Sequence, residues 1–268
     1  MENQRFVPEG WNTNDVILTK EKLINAMQED IIMQGRVISC DNNYNLHLET
    51  SDGINAIIPR EEVEAIYIDS LGYPKPNICA NKVNKLVQFR VNEFTENNTV
   101  ILSRKKVGLQ AVNWLKNELK PGDVVKGIVT NIRPFGAFVE IGGGVSGLLH
   151  IENISVARIK NPNERFKIGQ KINVMVKLVD PVNNRIDLTY KELLGTWKEN
   201  IEDLKEGTVV TGIVRNKEKL GRGIFIEIKP NLVGLAEPED GIEYGQRVNV
   251  FVKRIIPEKK KIKLVLLK

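Results

Sequence analysis

One stretch of this chain occurs twice. Leu119-Lys-Pro-Gly-Asp-Val-Val-Lys-Gly-Ile-Val-Thr-Asn131 returns 85 positions later as Leu204-Lys-Glu-Gly-Thr-Val-Val-Thr-Gly-Ile-Val-Arg-Asn216. Further on, Gly136-Ala-Phe-Val-Glu-Ile141 returns as Gly223-Ile-Phe-Ile-Glu-Ile228, and Ile172-Asn-Val-Met-Val176 as Val248-Asn-Val-Phe-Val252. A fainter copy precedes both, where Gly35-Arg-Val answers Gly127-Ile-Val and Leu102-Ser-Arg-Lys105 answers Leu188-Thr-Tyr-Lys191. A recurring unit of this length is one small fold used several times.

Each copy reads as β-strands. In the middle copy, Val124–Asn131, Gly136–Ile141, Val145–Leu149, Lys171–Asp180 and Arg185–Tyr190 are short and rich in β-branched residues. Turn residues separate them: Pro134, Gly142 to Gly144, Asn161-Pro162 and Asn183-Asn184. Five strands with an irregular insert between the third and fourth describe an oligonucleotide-binding barrel. The fold class expected is therefore all-β with linking helices, as three tandem five-stranded oligonucleotide-binding-fold β-barrels. Leu109, Val112, Leu115 and Leu119 recur at helical spacing, as do Leu193, Leu194, Trp197, Ile201 and Leu204. The chain then divides into a leader (1–28), a divergent barrel (29–106), a helical linker (107–118), a barrel with the full pattern (119–192), a second helical linker (193–203) and a divergent basic barrel (204–268). The leader, with Phe6, Trp11 and a helix from Thr19, is expected to pack on the first barrel.

Side chains alternate across a strand, so Ala137, Val139 and Ile141 form the core face, and Phe138 and Glu140 point outward. The third copy repeats this with Phe225 and Glu227 outward. An outward Phe wastes apolar area unless something covers it, either a linking helix or a base stacked on the ring, the latter contributing about 1–3 kcal/mol. Phe135, at the turn into the same strand, and His150, at the end of the next, converge on that surface. Lys177 and Arg185 face outward from the last two strands, with Asp180 and Asp187 beside them. Two rings, an imidazole and cations on one barrel face make a stacking platform with phosphate contacts.

With these residues in place, the middle copy closely resembles the RNA-binding domain named after ribosomal protein S-one. The resemblance rests on Gly127 to Ile141, Gly147-Leu-Leu-His150 and Val176 to Thr189. It implies an RNA face built from Phe135, Phe138, His150, Asp180 and Arg185, with Arg133 and Lys177 as secondary contacts. The third copy keeps Phe225, and Lys261 stands where Arg185 does. Arg222 falls near the Phe135 position, Glu237 replaces His150 and Ile256 replaces Asp180. Binding there should rest on charge, from Lys217, Lys219, Arg222 and Lys259 to Lys261, more than on stacking. In the first copy Tyr44 and His47 take the ring positions, Pro59 the His150 position, and Thr95 and Thr99 replace the Asp and the Arg. Two rings without a cation suggest a weak RNA site or a protein-facing module. Tandem domains with nothing else resemble shortened bacterial forms of the S-one family, in which N-terminal repeats dock on the small ribosomal subunit and later ones hold messenger RNA.

Charge agrees with that division. Met1 to Lys106 carries 12 basic and 15 acidic residues, Leu119 to Lys191 carries 11 and 6, and Leu204 to Lys268 carries 14 and 8. Basic surfaces attract polyanions in a salt-sensitive way. Catalysis is not expected. Gly142 to Gly147 lacks the Gly-Lys-[Ser/Thr] ending of a phosphate loop and reads as a hairpin turn. The chain holds only two histidines, His47 and His150, and no metal-ligand spacing or nucleophile motif accompanies them. Neither a cofactor nor a metal is expected, and Cys40 and Cys79 read as buried thiols. The N-terminus has no apolar run of the secretory kind, and no segment is apolar enough to span a membrane, so a cytoplasmic protein is expected. The alternatives left open are a non-ribosomal RNA-binding regulator or RNA chaperone, and a purely structural scaffold.

Overall fold

The computed structural model describes residues 6–12, 17–66, 68–183, 185–217 and 223–267, the side chain of Lys217 excepted. Its strands form three closed barrels. The first comprises β1 (Met33–Cys40), β2 (Leu46–Leu48), β3 (Asn55–Ile58), β4 (Leu86–Thr95) and β5 (Thr99–Ser103). The middle one comprises β6 (Val124–Arg133), β7 (Gly136–Gly142), β8 (Val145–His150), β9 (Lys171–Asp180) and β10 (Arg185–Thr189). The third comprises β11 (Val209–Lys217), β12 (Ile224–Lys229), β13 (Leu232–Ala236), β14 (Arg247–Ile256) and β15 (Lys261–Leu266).

The same device closes all three. The fifth strand returns antiparallel to the fourth and runs parallel to the third, and the fourth pairs with the first, so no sheet edge stays open. The repeated glycine of the first strand has a packing reason. A Cβ on Gly127 would collide with Val139 across the core, and one on Gly212 would collide with Ile226. Just beyond it the register slips in each copy, at Val37/Ser39, Val129/Asn131 and Val214/Asn216, which bends the strand so that it serves two neighbours.

The helices differ from the spacing in detail. Among them α1 (Lys20–Gln28) and α2 (Pro76–Ala80) belong to the first barrel, and Leu23, Ala26 and Cys79 enter its core. Helix α3 (Arg104–Asn117) begins earlier than the apolar stripe, because the Ser103 hydroxyl caps it by accepting from the Lys106 N–H. Leu109 is exposed, and the buried face uses Val107, Ala111, Trp114 and Leu115, all inside the middle barrel's core. The second linker breaks at Gly195, which sits at positive φ between a 3-10 turn (Lys191–Leu194) and the short α4 (Trp197–Ile201).

The leader does more than pack on the first barrel. Leu18 joins that barrel's core, but Phe6 lies in the middle barrel's core, 5.8 Å from the Trp114 ring. Between them a buried clasp joins four elements. The Arg104 guanidinium donates to Glu9 (Nε–Oε1 2.7 Å, Nη2–Oε2 3.0 Å), to Glu64 (3.0 Å) and to the Val63 carbonyl (2.9 Å). Glu9 also accepts from the Gln88 N–H, and its own N–H donates to Glu140 Oε2 at 2.7 Å. Glu140 Oε1 takes the N–H groups of Gly142 and Gly144. The glycine turn expected at 142–144 is present, and it is also a socket. A Cβ on Gly142, Gly143 or Gly144 would strike Phe6, Ala111 or Arg104 respectively.

Glu140 and Glu227 do point out of their barrels, but neither faces solvent. Each is only 5% exposed, because the neighbouring module covers that end of the strand. Glu227 pairs with Arg165 of the middle barrel's insert (2.6 Å) and with Arg215, which also reaches Glu164. Tyr244 donates to Glu164 at 2.7 Å, and Asn231 ties the Val156 N–H to the carbonyls of Lys191 and Gly195. The same repeat position thus anchors the upstream module twice. In the first barrel that position is Glu49, which is exposed.

Burial alone would raise the Glu9 carboxyl, but the charges of Arg104 and Lys82 hold it down at about 2. Burial and the Glu9 charge push Glu140 up to about 8, making it the readier proton acceptor of the cluster. A depressed carboxyl stabilises the fold fully above its usual value near 4.5, and the contribution is lost as pH falls toward 2. Arg104→Ala, which takes the arginine from Glu64 and leaves Glu9 with Lys82 alone, is expected to cost about 3–5 kcal/mol in urea denaturation at neutral pH. It should also remove most of Glu9's share of the loss of stability expected of the parent chain between pH 4.5 and 2. A variant as stable as the parent would show that the clasp is not what joins these elements.

Candidate nucleic-acid interface

Strand β7 carries the site. Its core residues Ala137, Val139 and Ile141 are fully buried, which turns Phe138 to the opposite side. Arg133 pairs with Gly136 across a two-residue turn, lifting Phe135 to the rim, where it is 49% exposed. The Phe135 carbonyl accepts from the Ile151 N–H at 2.9 Å and fixes that turn against the end of β8. The rings meet edge to face, with centroids 6.2 Å apart. His150 lies opposite Gly136, and its Nδ1 accepts from the Glu152 N–H at 3.4 Å. That leaves Nε2 as the ring nitrogen turned to an incoming group.

From Phe138 one row crosses the barrel: Phe138 opposite Leu148, Leu148 beside Asp187, and Asp187 opposite Leu178. Leu178 is exposed and Leu148 half-buried, so a shelf of apolar side chains runs out from the ring. Neighbouring strands are about 4.8 Å apart, which places Asp187 roughly 10 Å from Phe138.

Most of the polar residues expected here are already engaged within the barrel. Asp180 Oδ1 accepts from the N–H groups of Val182 and Asn183, and Oδ2 from the Asn183 amide at 2.7 Å. Those hydrogen bonds, the Asn183 side chain first, hold its carboxyl below the usual range. Asp180 thus shapes the β9–β10 turn. Arg185 makes a bidentate pair with Asp187 (Nε–Oδ1 2.9 Å, Nη2–Oδ2 3.0 Å), which raises its pKa. Lys177 donates to Asn153 at 2.9 Å, and Arg133 is exposed at the rim. Alternation along β10 already set Arg185 and Asp187 on one face. Whether they bind each other depends on side-chain reach, which alternation does not carry.

The flanking barrels vary the pattern. In the third, Phe225 is 36% exposed and its row continues through Leu235 and Lys263 to Arg254, with Lys261 one alternation away. Lys219, Arg222 and the side chain of Lys217 lie outside the described residues. In the first, the cation missing from the strand position comes from the turn after β3. The Arg60 guanidinium lies 5.1 Å from the Tyr44 ring and 5.2 Å from that of Tyr73. His47 there is paired with Asp41 at 3.2 Å. Among the described residues no group of His, Cys, Asp and Glu could hold a metal ion, and no helix is long and apolar enough to cross a membrane.

Residues 118–191 match the S1 RNA binding domain family, a span that holds all five residues of the expected face. The chain is 34% identical over 274 residues to the small ribosomal subunit protein bS1 homolog of Bacillus cereus, covering 94% of this chain and 69% of that protein. It is 30% identical over 278 residues to small ribosomal subunit protein bS1 of Staphylococcus saprophyticus, covering 94% and 67%. It is also 32% identical over 225 residues to 4-hydroxy-3-methylbut-2-enyl diphosphate reductase of Clostridium acetobutylicum, where the match takes in 79% of this chain and only 34% of that protein.

Asp180→Ala is expected to lower the thermal midpoint by unmaking the β9–β10 turn, whereas Asp180→Asn retains an acceptor oxygen and most of the stability. Equal melting of both variants and the parent would contradict the turn-shaping role.

Proposed function

Because the chain belongs to the family of small ribosomal subunit protein bS1, we propose that it holds single-stranded RNA, messenger RNA above all, at the small ribosomal subunit in the cytoplasm. One observation carries the RNA part: the exposed Phe135 ring and the half-buried Phe138 ring stand edge to face beside His150 on a barrel whose other apolar residues are mostly buried. Splayed bases stack on these rings with little sequence preference, because every base has a π face. His150 Nε2 and Arg133 meet the backbone at the rim, with Lys177 and Arg185 as partners that must first exchange their present contacts. The third barrel adds Phe225 and a cationic hairpin, Lys253, Arg254, Lys259, Lys260, Lys261 and Lys263, all exposed. Its charges release counterions and set most of the salt dependence. The first barrel, net acidic, is the surface turned toward the ribosome.

Phe138→Ala is expected to weaken binding of a labelled single-stranded oligoribonucleotide by about 1–3 kcal/mol, roughly five- to a hundredfold, at every salt concentration. Unchanged affinity in that fluorescence-anisotropy titration would rule out the stacking platform. For the ribosomal part, the full chain should co-sediment with small subunits at moderate salt. A chain that binds RNA and stays off the subunits would be a non-ribosomal RNA regulator or chaperone instead.

A further inference from the structure

We propose that Asp187 is a positioning residue of the RNA face, which holds the Arg185 guanidinium along β10 and withholds it from the phosphates. The middle barrel would then grip RNA by stacking and leave backbone charge to its neighbour. The inference rests on the reading of this face as an RNA site. It starts from geometry. Arg185 and Asp187 are two residues apart on one strand face, and both carboxylate oxygens are taken by the guanidinium. Asp187 is the less exposed partner, 19% against 60% for Arg185, so it forms the floor over which the arginine lies. A bidentate arginine–carboxylate pair is among the stronger charge-assisted contacts and must be exchanged before a phosphate can take its place. With the two charges cancelling, the pair contributes little to the attraction of a polyanion.

The barrel itself does not need the carboxylate. In the third barrel the same two positions are Lys261 and Lys263, and Lys263 stands directly opposite Arg254. Like charges directly opposite in a sheet destabilise it, yet that barrel closes in the same topology. In the first barrel the positions are Thr99 and Ile101, without charge. The ion pair therefore occurs in the copy that carries both phenylalanines and the histidine, and it is replaced by two cations in the copy with a single ring. Elsewhere on the middle face, Asp180 is committed to its turn and Lys177 to Asn153. The groups left most open are the rings, the histidine Nε2 and Arg133.

The test uses the full chain and a short fluorescein-labelled single-stranded oligoribonucleotide, titrated across a range of KCl concentrations. Asp187→Asn keeps the shape and removes the charge. It is expected to tighten binding about two- to tenfold at low salt. It should also steepen the plot of log K against log salt by about 0.7, one additional phosphate contact on a single strand. Arg185→Ala alone should leave the slope near that of the parent, and adding Arg185→Ala to Asp187→Asn should abolish the gain. The reciprocal change, Lys263→Asp in the third barrel, should flatten the slope. An unchanged slope or weaker binding for Asp187→Asn overturns the proposal. Phe138→Ala in the same titration separates the two readings: if it has no effect, the RNA face itself is wrong. If it weakens binding while Asp187→Asn leaves the slope unchanged, only the role of Asp187 falls.

Discussion

The Arg104 guanidinium, buried among the carboxylates of Glu9 and Glu64 and the Val63 carbonyl, is the contact on which the arrangement of the first two barrels depends. An unpaired charge at this depth would be costly, so the leader, the first barrel and helix α3 are tied to one geometry. Glu9 carries the connection onward, since its N–H meets Glu140 and so reaches the hairpin 142–144. The middle barrel's core is completed from outside by Phe6 and by the buried side chains of α3. Its folded unit is thus larger than its five strands.

The repeat reuses a single solution at the next junction. Glu140 and Glu227 occupy one position of β7 and β12, and each is covered by the module before it. Two residues earlier on the same strands, Phe138 and Phe225 remain accessible. A strand face that looks uniform in alternation is thereby divided. One end joins modules and the other is left open for a ligand. Because the joining end is held by ion pairs and hydrogen bonds on both sides, the open ends keep fixed places on their barrels, which favours simultaneous binding to one strand.

Chemistry varies around this constant frame. The middle barrel has two phenylalanines and a histidine, with Arg185 paired to Asp187. The third has one ring and a hairpin of exposed cations. The first has a Tyr44–Arg60–Tyr73 stack on an acidic domain. Stacking and counterion release respond differently to salt, so under the proposed reading their distribution over separate barrels would let one chain keep hold of RNA over a wider range of conditions.

From sequence alone the repeat, the strands of the middle copy, most of their inward and outward faces, the closed five-stranded barrels and the aromatic positions can be read; Leu178 is an exception, since alternation from Val174 and Val176 puts it inward, whereas the slip in the β9–β10 register turns it out. These follow from alternation, turn residues and self-similarity, which are properties of neighbouring positions along the chain. What only the tertiary structure decided was which outward residues are free. Glu140 and Glu227 were placed correctly on their strands and still proved buried, because what covers them comes from more than 60 residues away. Arg185 and Asp180 faced outward as expected, yet the partners they chose, Asp187 and the β9–β10 turn, depend on side-chain reach and turn shape. Arg60 was invisible as a partner of Tyr44, since the turn after β3 must fold back to bring them together. Periodicity tells which side of a strand a residue takes. Whether that side meets water, RNA or another barrel is settled by contacts distant in sequence, and alternation carries no information about those.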